Sequence, residues 1–177
     1  MILGLDISTS KIGVCILKNS GELAFLEGLE LSKEKNVIKK SELFKSFIED
    51  ISTKFDIKKV LIEENLQAFR PGLSSAKTIV TLARFNGICT YISSIVFDTE
   101  PDFVNVNNAR KRVGLKIERK STKNTKEQVL DFVKLKEPKF SWPTKILKGG
   151  PNRGNEVLQE KCYDMADAYI IASSFFA

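Results

Sequence analysis

Four acidic residues stand where apolar segments of this chain call for core residues, and that placement constrains the fold more than any other feature. Asp6 follows Ile2-Leu3-Gly4-Leu5, and Glu63 closes Val60-Leu61-Ile62. Asp164 and Asp167 interrupt the otherwise apolar run from Cys162 to Ile171. A carboxylate held in the core-facing part of an element is costly unless a cation compensates it. If the last run is a helix, positions i and i+3 share a face, so Asp164 and Asp167 project together. Each acid alone has a plain reading, as a turn cap, the end of a buried strand or part of a solvated stripe. Four acids on three elements are better explained by convergence on a divalent metal. Mg²⁺ takes hard oxygen ligands, a few from protein and the rest from water and substrate phosphate. Two such ions, about 4 Å apart, activate water and stabilise the leaving oxygen of an in-line phosphoryl displacement.

Composition narrows the chemistry further. The 177 residues contain no histidine, which excludes Ser-His-Asp and Cys-His triads and His-ligated zinc. Metal-assisted hydrolysis by carboxylates needs none. Cys15, Cys89 and Cys162 are far apart and form no C-x-x-C pair, so neither a zinc knuckle nor a disulfide framework is expected. A carboxylate by residue 6 argues against a signal peptide, and no run is expected to approach the ~20 apolar residues needed to span a bilayer. The expectation is one domain over 1–177 in the cytoplasm, without a membrane partner.

The order of elements points to an α/β fold. Residues 1–6 and 12–17 read as strands, Asn19-Ser20-Gly21 as a turn, and 22–31 as a third strand, giving an antiparallel meander. Leu43, Phe44, Phe47, Ile48, Ile51 and Phe55 make a helical stripe. Val60-Leu61-Ile62 reads as a buried parallel strand. Pro71-Gly72 breaks the chain, and Ser74 or Ser75 then caps a long helix carrying Ile79, Val80, Leu82, Ala83, Phe85, Ile88 and Ile92. Phe103–Val106 reads as the last strand. One or two short helices are expected within 108–136, a Pro/Gly-rich loop over 138–155, and a final helix over 156–175. The sum is a mixed five-stranded sheet, meander plus parallel strands, with helices on both faces.

Charge is uneven. Residues 107–161 hold 15 Lys and Arg against 6 Asp and Glu, net +9, whereas the remainder is net −3. The densest stretch carries Arg110, Lys111, Arg112, Lys116, Arg119, Lys120, Lys123 and Lys126 against Glu118 alone. Such runs are often solvated helix faces. A one-signed block beside an acidic body points instead to phosphate contact, with each neutralised phosphate adding counterion-release affinity.

These residues resemble the RuvC branch of the RNase H-like superfamily, the Holliday junction resolvases. The matching patches are Ile2-Leu3-Gly4-Leu5-Asp6 with Gly13-Val14, then Val60-Leu61-Ile62-Glu63, then Asp164-Met165-Ala166-Asp167-Ala168. The resemblance implies an RNase H-like fold with Asp6, Glu63, Asp164 and Asp167 as catalytic metal ligands. Glu64 is an alternative to Glu63, because adjacent strand residues face opposite ways. It further implies two Mg²⁺ ions, with Mn²⁺ able to substitute. A homodimer would cut opposed strands of a four-way DNA junction, leaving 5′-phosphate ends, in a bacterial or phage-infected cell.

The chain departs from the family in three places. Ile7-Ser8 replaces the Pro-Gly usual after the first Asp in bacterial enzymes, which is closer to phage-type relatives. Leu66 stands where the family places a junction-wedging aromatic. Phe69 follows three residues later, and Phe69-Arg70 is the candidate to stack on an opened base and hold phosphate. The 138–155 loop, with Lys139, Lys145, Lys148 and Arg153, has no counterpart, which extends the expected substrates to other branched DNAs. Two rivals remain. Ser10-Lys11-Ile12-Gly13-Val14 resembles the first-strand signature of YqgF-like proteins acting on RNA, and a catalytically silent DNA-binding module would keep the basic face without metal.

Overall fold

The N-terminal apolar run forms β1 (Ile2–Ile7), which pairs antiparallel with β2 (Lys11–Leu17), and β2 pairs antiparallel with β3 (Leu23–Glu30). Gly21, at φ 84°, supplies the left-handed turn position between β2 and β3. The chain then crosses through helix α1 (Val37–Lys54) to β4 (Lys59–Glu63), which lies parallel to β1. A second crossover, through helix α2 (Ala76–Phe97), leads to β5 (Asp102–Val104), parallel to β4. The sheet order is β3-β2-β1-β4-β5, the mixed five-stranded sheet expected from the sequence. The computed structural model describes residues 1–64 and 76–177. The Pro71-Gly72 break, the Ser74 or Ser75 cap, and Leu66, Phe69 and Arg70 lie outside the described residues.

Strand alternation assigns the two sheet faces. Leu3, Leu5, Ile12, Val14, Ile16, Val60 and Ile62 point to one side and pack against Phe44, Ile48 and Ile51 of α1 and Phe85 and Cys89 of α2. Asn36 caps α1, its side chain accepting from the backbone N–H groups of Ile38 and Lys39. The stripe read from sequence is shifted slightly. Leu43 is exposed, whereas Ser41 is buried and donates to Val37 O, and Lys40 is buried and donates to Thr9 O.

The opposite face carries the C-terminal helix α5 (Lys161–Ser173), which packs on Cys15, Leu17 and Leu26. Above α5 lie α3 (Val106–Arg112) and α4 (Thr125–Lys136), so α5 is buried on nearly all sides. That explains its almost uninterrupted apolar sequence. Its backbone meets the sheet at two glycines. A Cβ on Gly4 would stand 2.5 Å from Ala168 O, and one on Gly13 would stand 1.9 Å from Asp164 O. Neither strand could hold α5 this close with a side chain at those positions.

Three expectations are corrected. The 138–155 loop contains the start of a two-stranded hairpin, β6 (Thr144–Ile146) with β7 (Glu156–Leu158), joined through Gly150 and Gly154 at positive φ. β7 therefore takes the first residues assigned to the last helix. The strand expected over 103–106 ends at Val104, because Asn105 accepts from the N–H groups of Asn107 and Asn108 and starts α3. Finally, among the described residues one helix, α2, is long and apolar enough to cross a membrane by length and composition. Arg84 and the polar residues between its apolar ones break the run, so it does not stand out as one continuous apolar segment.

Candidate active site

Asp6 is the penultimate residue of β1 and Glu63 the last of β4, so both stand at the carboxyl end of the central parallel pair. Crevices beyond the carboxyl ends of such strands are the usual ligand sites of α/β sheets. Both adjacent glutamates line the same cleft, and strand alternation favours Glu63. Leu3, Leu5, Val60 and Ile62 fill the α1/α2 side, which turns Asp6 and Glu63 together to the α5 side. Glu64 has left the strand; its N–H donates to Val104 O at 2.9 Å. Gly13 is paired with Asp6 across the sheet, and the bare backbone there admits the first turn of α5 and its Asp164. Asp167 follows on the same helical face.

All four carboxylates line one open cleft of about 280 Å³. They are crowded and partly dehydrated. Burial pushes the Asp6 carboxyl well above the ordinary aspartate range, and the Glu63 charge, a shared hydrogen bond with Glu63, Asp167 and Asp164 push it further. Burial also raises Glu63, although its hydrogen bond with Asp6 and the charges of Arg110 and Lys126 act against the rise. Asp164 is raised by burial as well, with Lys126 and Lys11 opposing. An Asp and a Glu hydrogen-bonded to each other beside two more acids form a site short of positive charge.

Two cations from the basic block supply part of it. Arg110 Nη2 donates to Asp167 Oδ1 at 2.9 Å, with the two side chains 14% and 8% exposed. Lys126 Nζ stands 3.9 Å from Asp164 Oδ1 on a side chain that is 61% exposed. With Asp167 drawn to Arg110, no three Asp, Glu or Cys side chains among the described residues already form a closed ligand set. The donor set still fits a hard divalent ion. It offers five carboxylates, the four above and Glu64, no soft ligand, and an open side where water and phosphate oxygens can complete the shell.

The rest of the basic block divides by place. Lys111, Lys116 and Arg119 line a neighbouring cleft of about 610 Å³ that shares Arg110 with the acid site. Arg112 lines a separate depression with Asp102 and the C-terminal residues. Lys120 is exposed, and Lys123 pairs with Asp131 at 2.6 Å. Sequence reasoning read all eight as one outward face, because it could not see that helix α3 turns Arg110 inward. It also missed Ser8 and Asn86, which line the acid cleft. The signal for Asn86 was present, as a polar residue between Phe85 and Cys89 on the buried stripe of α2.

No family model matches the chain, and no curated protein matches it. Solved structures do. A Thermus thermophilus RuvC in complex with a Holliday junction substrate superposes with a TM-score of 0.65 at 14% identity, over 98% of this chain and 90% of that one. A second T. thermophilus RuvC structure gives 0.58 at 14% identity, over 98% and 91%. A yeast mitochondrial Holliday junction resolvase gives 0.54 at 13% identity, over 98% and 76%. The chain therefore has the RuvC-type, RNase H-like fold.

Proposed function

We propose that this protein is a metal-dependent, structure-selective endonuclease that resolves four-way and other branched DNA junctions, hydrolysing phosphodiesters to leave 5′-phosphate ends. The observation that carries the reading is the convergence of Asp6, Glu63, Asp164 and Asp167 from three elements into one cleft, on a fold shared with Holliday junction resolvases. Asp6 and Glu63, fixed by the sheet, and Asp164 and Asp167, fixed by α5, would hold two Mg²⁺ ions, or Mn²⁺ in their place. When bound, the metals supply water activation and charge stabilisation for an in-line displacement. The protein contributes the alignment. The rigid sheet keeps two acids in place, and Lys126 at the rim is near enough to steer a phosphate oxygen toward them.

The test is cleavage of a synthetic four-way junction beside linear duplex, fork and RNA/DNA hybrid, with and without Mg²⁺. Scission of the junction that needs Mg²⁺ is expected. Cleavage confined to the hybrid would replace this reading with an RNA-directed one, and binding without cleavage would replace it with a silent DNA-binding module.

DNA would cross the acid cleft and continue along the basic one beside it. Replacing Lys111, Lys116 and Arg119 together by Ala is expected to weaken junction binding about tenfold or more. It should also flatten the slope of log K against log salt by about two to three units, at roughly 0.9 for each phosphate no longer neutralised. Affinity measured across a salt series checks both. An unchanged slope would make the three residues ordinary solvated charges.

Two symmetric cuts call for two copies of the site. On α2, Val80, Tyr91 and Ile95 are exposed, Tyr91 and Ile95 at 68% and 65%, and they continue one face of the helix at helical spacing. A second copy of this chain packed on that face would bury it and explain the apolar character of α2. Tyr91→Lys with Ile95→Lys is expected to leave the fold intact and convert a dimer to a monomer in sedimentation. A wild-type chain that sediments as a monomer at working concentrations would remove the dimer from the proposal.

A further inference from the structure

Arg110 is the one member of the basic block whose side chain is largely shielded from water, and its surroundings are unusual for an arginine meant to hold DNA. Its guanidinium donates to Asp167 Oδ1 at 2.9 Å, both side chains are shielded from water, and its charge also reaches Glu63. Its Nε–H is buried without an acceptor, so the pair satisfies only part of the guanidinium. An arginine placed to make a permanent structural bridge would be expected to use its fork more fully. The pairing also sets two demands against each other. Arg110 occupies Asp167 Oδ1, so a metal ion that needs that oxygen must compete with the guanidinium for it.

We propose that Arg110 is a resident counter-cation of the acid cluster, which holds Asp167 until a divalent ion displaces it. The inference rests on reading the four acids as a metal site. Without metal, the positive guanidinium offsets the crowding of Asp6, Glu63 and Asp167 and keeps α5 seated on the sheet. A metal ion that takes Asp167 Oδ1 must then displace the guanidinium, and any metal in the cluster must overcome the repulsion of a fixed positive charge. Arg110 therefore weakens metal binding while stabilising the empty site. Once released, the guanidinium lies between the acid cleft and the basic cleft, which share it. A phosphate on that path can take up the hydrogen-bond donors that Asp167 gave back.

Calorimetric titration of the protein with Mn²⁺ and with Mg²⁺, at pH 8 and without DNA, tests this directly. Arg110→Ala is expected to bind each ion about tenfold more tightly than wild type, within the usual range of coupling between two sites. Arg110→Lys, which keeps the charge, should stay near wild type. The metal-induced rise in melting temperature should be larger in Arg110→Ala than in wild type, because the variant starts with an uncompensated site. A second measurement needs no variant. In arginine-labelled wild-type protein, Mg²⁺ should move the Arg110 Nε–Hε NMR signal and leave that of exposed Arg153 in place. If Arg110→Ala does not fold, that signal and the Arg110→Lys titration decide. Wild-type protein that binds metal while Arg110→Ala binds it no more tightly, or while the Arg110 signal does not move, overturns the role of Arg110 alone. Wild-type protein that takes up neither ion overturns the metal-site reading and this inference with it.

Discussion

Asp6→Asn is expected to abolish junction cleavage while leaving junction binding close to wild type. Asp6 is central to the cluster, hydrogen-bonded with Glu63 and within the fields of Asp164 and Asp167. Removing its charge takes away one of the residues that would hold the metal, and metal-based transition-state stabilisation is worth several kcal/mol. That corresponds to a rate loss on the order of 10³-fold or more. The charges proposed to contact DNA lie in the neighbouring cleft, so affinity should be spared. Single-turnover cleavage and gel-shift affinity, measured on the same junction, separate the two effects. Residual cleavage at wild-type rate would remove Asp6 from the chemistry.

The same substitution carries a stability signature of the opposite sign. The Asp6 carboxyl sits well above its ordinary range in the fold, so the native state binds a proton that the unfolded chain releases near pH ~4. The contribution of Asp6 to metal-free stability should therefore be fully present below that value and be lost as pH rises through the raised native range. Asn copies the protonated shape without titrating. Asp6→Asn is thus expected to melt higher than wild type in EDTA at neutral pH and to show a shallower decline with pH. Added Mg²⁺ should stabilise wild type and do little for the variant. A substitution that removes activity and raises stability marks a residue kept for function at a cost to the fold.

The second large effect is expected from Gly13→Ala. Its Cβ would stand 1.9 Å from Asp164 O and 2.3 Å from Asp164 C, and both are backbone atoms that cannot rotate away. Either β2 or α5 must move. Overpacking of this kind costs about 3 kcal/mol where relief requires backbone shifts. The displaced atoms belong to the residue that carries one of the four acids, so cleavage should fall together with the urea midpoint. Stabilised solution conditions should rescue the fold without restoring the rate. A stability loss below about 1 kcal/mol would mean that α5 is seated more loosely than its approach to Gly13 implies.

How far these features were legible in the sequence follows from the range of the physics behind each. The meander, the parallel strand at Val60 and the long helix were readable because alternation and helical periodicity are local. The acids were readable because an ionised side chain in an apolar run is a local contradiction. Glu63 could be separated from Glu64 only once Val60 and Ile62 were seen packed against α1 and α2, which fixes the phase of the strand. The pairing of Arg110 was illegible for a related reason. Its charge was visible, but the turn of α3 that points it at Asp167, 57 positions away, is set by tertiary packing. The short hairpin at Thr144–Leu158 escaped because three-residue strands carry too little pattern to register.

The seating of α5 has a consequence for the life history of the polypeptide. Asp6 and Glu63 belong to strands made early, and the other two acids arrive only with the helix Lys161–Ser173. A nascent chain still threaded in the ribosome, or a product ended early by a stalled message, can display Asp6 and Glu63 but cannot close the quartet. It also lacks the helix that covers Cys15 and Leu17. Every truncated form that stops before Lys161 is thus both poorly folded and chemically incomplete.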